Sequence, residues 1–141
     1  MKITTTIDMR GVLAAINKAQ VTPQVKKRAL SEAALIHVRA IKSRTAKGEG
    51  LFGKFKIYSR DYFDIKAERK GGIPKVNLFF SGNMLANLNL VKATPNFALV
   101  SFSSQLERKK AKGNQRTRPF MGIKRDEQKD IMRIFKRELF K

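Results

Sequence analysis

Apolar positions change their spacing along this chain, and each change marks an element. Between Thr22 and Thr45, Val25, Ala29, Ala33, Ile36 and Ala40 form one stripe, which Leu30, Ala34, Val38 and Ile41 widen to a broad face. This spacing predicts a long helix. Thr22 serves as its cap and Pro23 opens its first turn. Upstream, Lys2–Ile7 suits a short extended piece, and Asp8 is a plausible cap for a helix over Val12, Leu13 and Ile16 that ends near Gln20. In the stretch KVNLFFSGNMLANLNL, residues 75–90, the period falls to two. Val76, Leu78 and Phe80 alternate with Asn77, Phe79 and Ser81, which predicts the central strand of a core sheet. Ser81-Gly82-Asn83 breaks it, and Met84, Leu85 and Leu88 suit about one helical turn capped by Ser81. Leu90–Lys92 and Phe97–Phe102 predict two further strands across Thr94-Pro95-Asn96. The helical period returns from Arg125 to Phe140, with Ile131, Ile134, Phe135 and Leu139 on one face. Asp126 and Glu127 lie in its first turn and Arg137 near its end, as the helix dipole prefers, although Lys124 offers no cap.

Two stretches keep no period. Residues 46–72 mix glycine, aromatic and charged residues, with an extended arm expected around Lys54–Ser59 and one or two helical turns near Tyr62–Ala67. Residues 104–118 are basic and polar around Gly113-Asn114 and read as a second loop or a frayed helix. The chain of 141 residues is expected to form one α+β domain over 1–141: a small antiparallel sheet packed by the long helix and the C-terminal helix, with two long basic loops.

Charge sharpens this picture. The net charge is +20, yet between Gly72 and Ser103 the only charged residues are Lys75 and Lys92. The densest block is 104–118, where six cations face one acid. Such a balance favours a polyanionic neighbour, nucleic acid or an acidic protein surface, and speaks to association rather than fold. The absence of cysteine excludes disulfides and thiolate metal sites. No apolar run approaches the roughly 20 residues of a membrane span, and the first residues lack a signal-peptide block, so a soluble, cytoplasmically made product is expected.

Candidate chemistry is thin. Gly48-Glu49-Gly50-Leu51-Phe52-Gly53 matches G-x-G-x-x-G, but it follows a helix and opens an aromatic loop, so a flexible hinge is the better reading. His37, the only histidine, lies mid-helix between Ile36 and Val38 and reads as a satisfied core or boundary residue, not a metal ligand. Ser81 lacks the context of a nucleophile elbow. Asp61/Asp64 and Asp126/Asp130 suit surface ion pairs. No catalytic residue, cofactor or metal is expected. The basic residues Lys54, Lys56, Arg108, Lys109, Lys110, Lys112, Arg116 and Arg118 are candidate contacts for DNA or an acidic surface. Phe52, Phe55, Tyr58 and Tyr62, with Phe63 nearby, could stack on bases or plug a neighbouring subunit, and the second reading is preferred because no nucleic-acid recognition motif accompanies the charge.

The order of motifs resembles the small head-to-tail joining and tail-completion proteins of tailed bacteriophages, the neck or virion morphogenesis proteins. The resemblance runs over roughly residues 24–140. It rests on Arg44 and Gly48–Gly53, then Tyr58-Ser59 with Tyr62 and Lys66, then Val76-Asn77-Leu78 leading into Ser81-Gly82-Asn83-Met84-Leu85, then Arg118-Pro119-Phe120-Met121-Gly122-Ile123. It implies an α+β structural virion subunit that forms a ring, a hexamer favoured, around the channel through which DNA leaves the capsid. Its partners would be copies of itself, neighbouring connector and tail proteins, and DNA in the lumen, with no membrane. The runner-up reading is a soluble basic nucleic-acid-binding protein. An enzyme acting on a phosphorylated substrate ranks last.

Overall fold

A computed structural model of the chain describes residues 3–8, 10, 21–70, 78 and 82–141. The architecture is α+β. Strand β1 (Thr5–Asp8) pairs antiparallel with β5 (Phe97–Phe102), and β5 pairs antiparallel with β4 (Leu88–Ala93), giving the order β1-β5-β4. Thr5 stands opposite Val100 and Asp8 opposite Phe97, so Ile3, Thr5 and Ile7 turn inward while Thr6 and Asp8 face out. The β4–β5 turn is built by Thr94, whose hydroxyl accepts from the backbone N–H groups of Asn96 and Phe97. A register shift between Leu90 and Lys92 bulges Val91 outward on the side of β4 that has no partner strand among the described residues. Such a bulge discourages a further strand from pairing there.

Helix α1 (Pro23–Ala46) starts as expected, with Thr22 Oγ1 accepting from Val25 N at 3.3 Å. Its inner face is Ala29, Leu30, Ala33, Ala34, Val38 and Ile41, which packs on β4 and β5 and against the C-terminal helix α5 (Arg125–Leu139). Ile36 and Ala40, part of the expected stripe, are only half-buried, because the buried face is centred on Leu30, His37 and Ile41. From α5, Ile131, Phe135 and Leu139 enter the core. Lys124 supplies no capping oxygen, but Glu127 Oε2 accepts from Lys124 N at 3.1 Å, which supplies half of a capping box.

Among the described residues the central strand of the sheet is β5. Of the strand expected over residues 75–80 only Leu78 is described; it is buried with φ 55°, outside the extended region, and Val76 and Phe80 lie outside the described residues. The same holds for the helix expected over Val12, Leu13 and Ile16, and for Ser81. The short helix α3 (Asn83–Ala86) follows Gly82, whose φ of 84° favours glycine at the cap position.

The two expected basic loops carry more regular structure than a loop, and of the two alternatives for residues 104–118 the structure has the helix. Residues 105–117 form helix α4 (Gln105–Thr117), its inner side made by Glu107 and Ala111. That stripe is too polar to register as a hydrophobic period, and open space around Gly113 shows that packing does not require glycine there. Within 46–72, β2 (Glu49–Gly50) and β3 (Gly53–Lys54) form a small hairpin, and α2 (Arg60–Lys70) extends well beyond the turns expected near Tyr62. Among the described residues, no helix is long and apolar enough to cross a membrane.

Candidate functional site

The glycine-rich segment, expected as a hinge, forms a β-hairpin whose base is closely packed. A Cβ on Gly50 would lie 2.3 Å from the Pro119 carbonyl oxygen and 2.6 Å from the Phe55 ring, so backbone and ring close on it as only glycine permits. Leu51 N donates to Pro119 O at 2.9 Å, and Phe55 N donates to Gly48 O at 2.9 Å. Gly122, at φ 146°, sits directly beneath the Leu51 side chain. The base of the hairpin is thus locked to the Pro119–Gly122 loop. Its tip carries Phe52, 88% exposed, between two strands of minimal length.

A strap from Phe55 to Ser59 leads away from the hairpin, and Arg118 holds it. Its guanidinium donates to Lys56 O at 2.9 Å and Ile57 O at 2.8 Å, and lies 4.7 Å from the centre of the Tyr58 ring. Lys66 Nζ reaches the same ring from 4.8 Å and donates to its hydroxyl at 3.2 Å, and Leu78 N donates to that hydroxyl at 3.1 Å. Tyr62 meets Tyr58 edge-on at 4.6 Å, and burial pushes its phenol pKa up. Tyr58 is therefore 7% exposed, an internal anchor satisfied within its own chain. Phe55 is half-buried against the core. Of the four aromatic residues expected at an interface, only Phe52 stands free of the body, and Ile57, 83% exposed, joins it although no sequence signal singled it out.

The expected basic cluster is sorted by the fold in a similar way. Arg108 donates to Phe102 O, Lys110 pairs with Glu107 at 2.9 Å, and Arg118 is spent on the strap. Lys109, Lys112 and Arg116 remain exposed along one flank of α4. Lys54 and Lys56 are exposed on the hairpin and strap. A cleft of about 680 Å³ opens between α4 and the Tyr58–Tyr62 pair, with Lys109, Asn114 and Arg118 on its wall.

Two polar centres hold these parts in place. Gln115 donates to Met121 O and accepts from Phe120 N and Met121 N, so one amide closes the loop after α4. Arg44 is buried at the end of α1, where it pairs with Glu127 and donates to Phe120 O at 2.6 Å and Gly122 O at 2.9 Å. It locks α1, the Pro119–Gly122 loop and the start of α5 together. Its signal in the sequence was phase: Arg44 continues the row of His37 and Ile41, so a cation there required a buried partner.

His37 is buried, but neither ring nitrogen has a partner among the described residues, which corrects the expectation of a satisfied histidine. Burial draws its pKa down to about 4; nearby Glu127 pulls it up and Arg44 pushes it down further. Among the described residues no group of acidic or histidine side chains could hold a metal ion. The chain matches no family model, and no curated protein or solved structure is significantly similar to it.

Proposed function

We propose that this chain is a non-catalytic structural subunit that assembles into a ring, a neck or tail-completion component that joins phage head and tail around the DNA exit channel. The observation that carries the reading is the hairpin: a base fixed by Gly50, Leu51 and the Pro119 carbonyl presents a nearly naked Phe52, with Ile57 close along the chain. An exposed aromatic side chain on a rigid mount loses little entropy on docking and suits an anchor in a neighbouring subunit. Repeated head-to-tail use of one such contact generates a ring when the rotation closes. The order of motifs from Arg44 to Ile123 adds the phage context.

Light scattering at rising protein concentration tests this reading, with electron microscopy of whatever assembles. The parent chain is expected to grow beyond the monomer, whereas the double variant Phe52→Ser, Ile57→Ser stays monomeric with an unchanged melting temperature. A parent that remains monomeric, or a variant that assembles as well as the parent, sinks the proposal.

A further inference from the structure

We infer that one flank of α5 is a docking surface for the phosphodiester backbone of nucleic acid, distinct from the basic residues of the hairpin and α4. Arg125, Lys129, Arg133 and Lys136 are all exposed, at intervals of four, four and three residues. They therefore stack on one flank of the helix over roughly 16 Å, at about 1.5 Å per residue. Of the four acids of α5, Glu127 faces Arg44 and Glu138 is buried beside Arg137 and Lys141, Asp130 pairs with Arg133 of the row at 3.1 Å, and Asp126 is exposed beside the first turn of the row without an ion pair to it among the described residues. Among the described residues, no carboxylate lies within ion-pairing range of Arg125, Lys129 or Lys136.

The row lines a groove of about 760 Å³, shared with Gln128, Met132 and Asp8. Asp8, the one acid of that lining among the described residues, is held by the Arg10 guanidinium. A concave, cationic strip of this length fits a polymer whose charge is dense and regular. A duplex laid along roughly 16 Å presents about nine phosphates, at one charge per ~1.7 Å, whereas an acidic helix facing the same row offers about one carboxylate per turn. Among the described residues no aromatic side chain lines the groove, so they offer no platform for bases, and contacts to the backbone alone make binding independent of sequence. This deepens the assembly reading by naming the surface that meets the polyanion.

The test is binding of a short mixed-sequence DNA duplex, followed by fluorescence anisotropy over a range of salt concentrations, with the protein dilute enough to be monomeric. The parent is expected to bind with a steep dependence on salt. The triple variant Lys129→Gln, Arg133→Gln, Lys136→Gln should lower the slope of log K against log salt by about three, near one per lost phosphate contact. The variant Lys129→Arg, Lys136→Arg should keep the parental slope, and Lys109→Gln, Lys112→Gln, Arg116→Gln should leave it close to parental. Circular dichroism checks that each variant folds. An unchanged slope in the α5 triple variant overturns the inference, as does a loss confined to the α4 variant. So does a parent that binds polyglutamate but not DNA, which would assign the groove to an acidic protein. Light scattering on the same α5 variant keeps the two proposals apart: unimpaired assembly with lost DNA binding leaves both standing, and DNA binding by a chain that never assembles removes only the ring.

Discussion

The two seams of this molecule are held by opposite means. Between α1 and α5 the contact is mostly apolar, with Leu30, Val38 and Ile41 in one core with Ile131, Phe135 and Leu139, the Arg44–Glu127 ion pair at one end and an Arg28 hydrogen bond to Glu138 O at the other. Between α4, the hairpin and the strap it is mostly polar: Gln115 on the loop backbone, Arg118 on two carbonyls and a ring, and Glu107 and Ala111 as the only buried residues of the helix. A seam of the first kind draws its stability from area removed from water and writes a period into the sequence. One of the second kind depends on a few directional bonds, whose partners are far apart in sequence.

The comparison breaks most visibly at Arg44. Replacing it with Met leaves the half-buried Glu127 without its cation and frees the Phe120 and Gly122 carbonyls, and should destabilise the fold by about 3 kcal/mol in denaturant unfolding. Adding Glu127→Gln should recover part of that loss, because the stranded charge is removed. A mild effect of Arg44→Met alone would show that the apolar contacts suffice for this seam.

Acid should act on the same seam. Folded, the His37 ring stays neutral down to about pH 4, while the unfolded chain takes up that proton near pH 6.5. Between those values the unfolded state binds more protons, so stability is complete above about pH 6.5 and falls as pH drops toward 4, by about 3 kcal/mol in all. Chemical denaturation at a series of pH values measures this, and His37→Leu should flatten the profile across that window.

The polar seam should respond more weakly. Gln115→Ala leaves two loop N–H groups without their acceptor and should cost about 1–2 kcal/mol. Hydrogen exchange should show the loss concentrated in the Pro119–Gly122 loop and the hairpin, with α1 protected as before. At the far end of the scale, Phe52→Ser should hardly change stability, since the ring touches so little of its own chain.

These differences also explain what could be read in advance. The cap and first turn of α1 at Thr22-Pro23, the β4–β5 hairpin across Thr94 and the apolar face of α5 were legible because each depends on local chemistry or a hydrophobic repeat. Helix α4 was legible only as one of two alternatives, a loop or a frayed helix, since its inner side is Glu107 and Ala111 and its length is crowded with lysine and arginine. The exposure of Phe52 agrees with its place among the expected interface aromatics, but Tyr58 was misjudged: an aromatic residue among basic neighbours looks the same whether it faces a partner or is clasped by Arg118 and Lys66.

The amino-acid sequence by itself determined the α+β class, the long capped helix, the scarcity of charge around the sheet and the strongly cationic character of the whole, because composition and short-range periodicity are carried by neighbouring residues. Only the tertiary structure decided which cations are spent inside and which face outward. Arg44 and Arg118 become internal clasps, while Arg125, Lys129, Arg133 and Lys136 line up beside a groove. The physical reason is that a charge is assigned by whatever carbonyl, carboxylate or ring the fold brings within reach, and those partners come from segments distant in the chain.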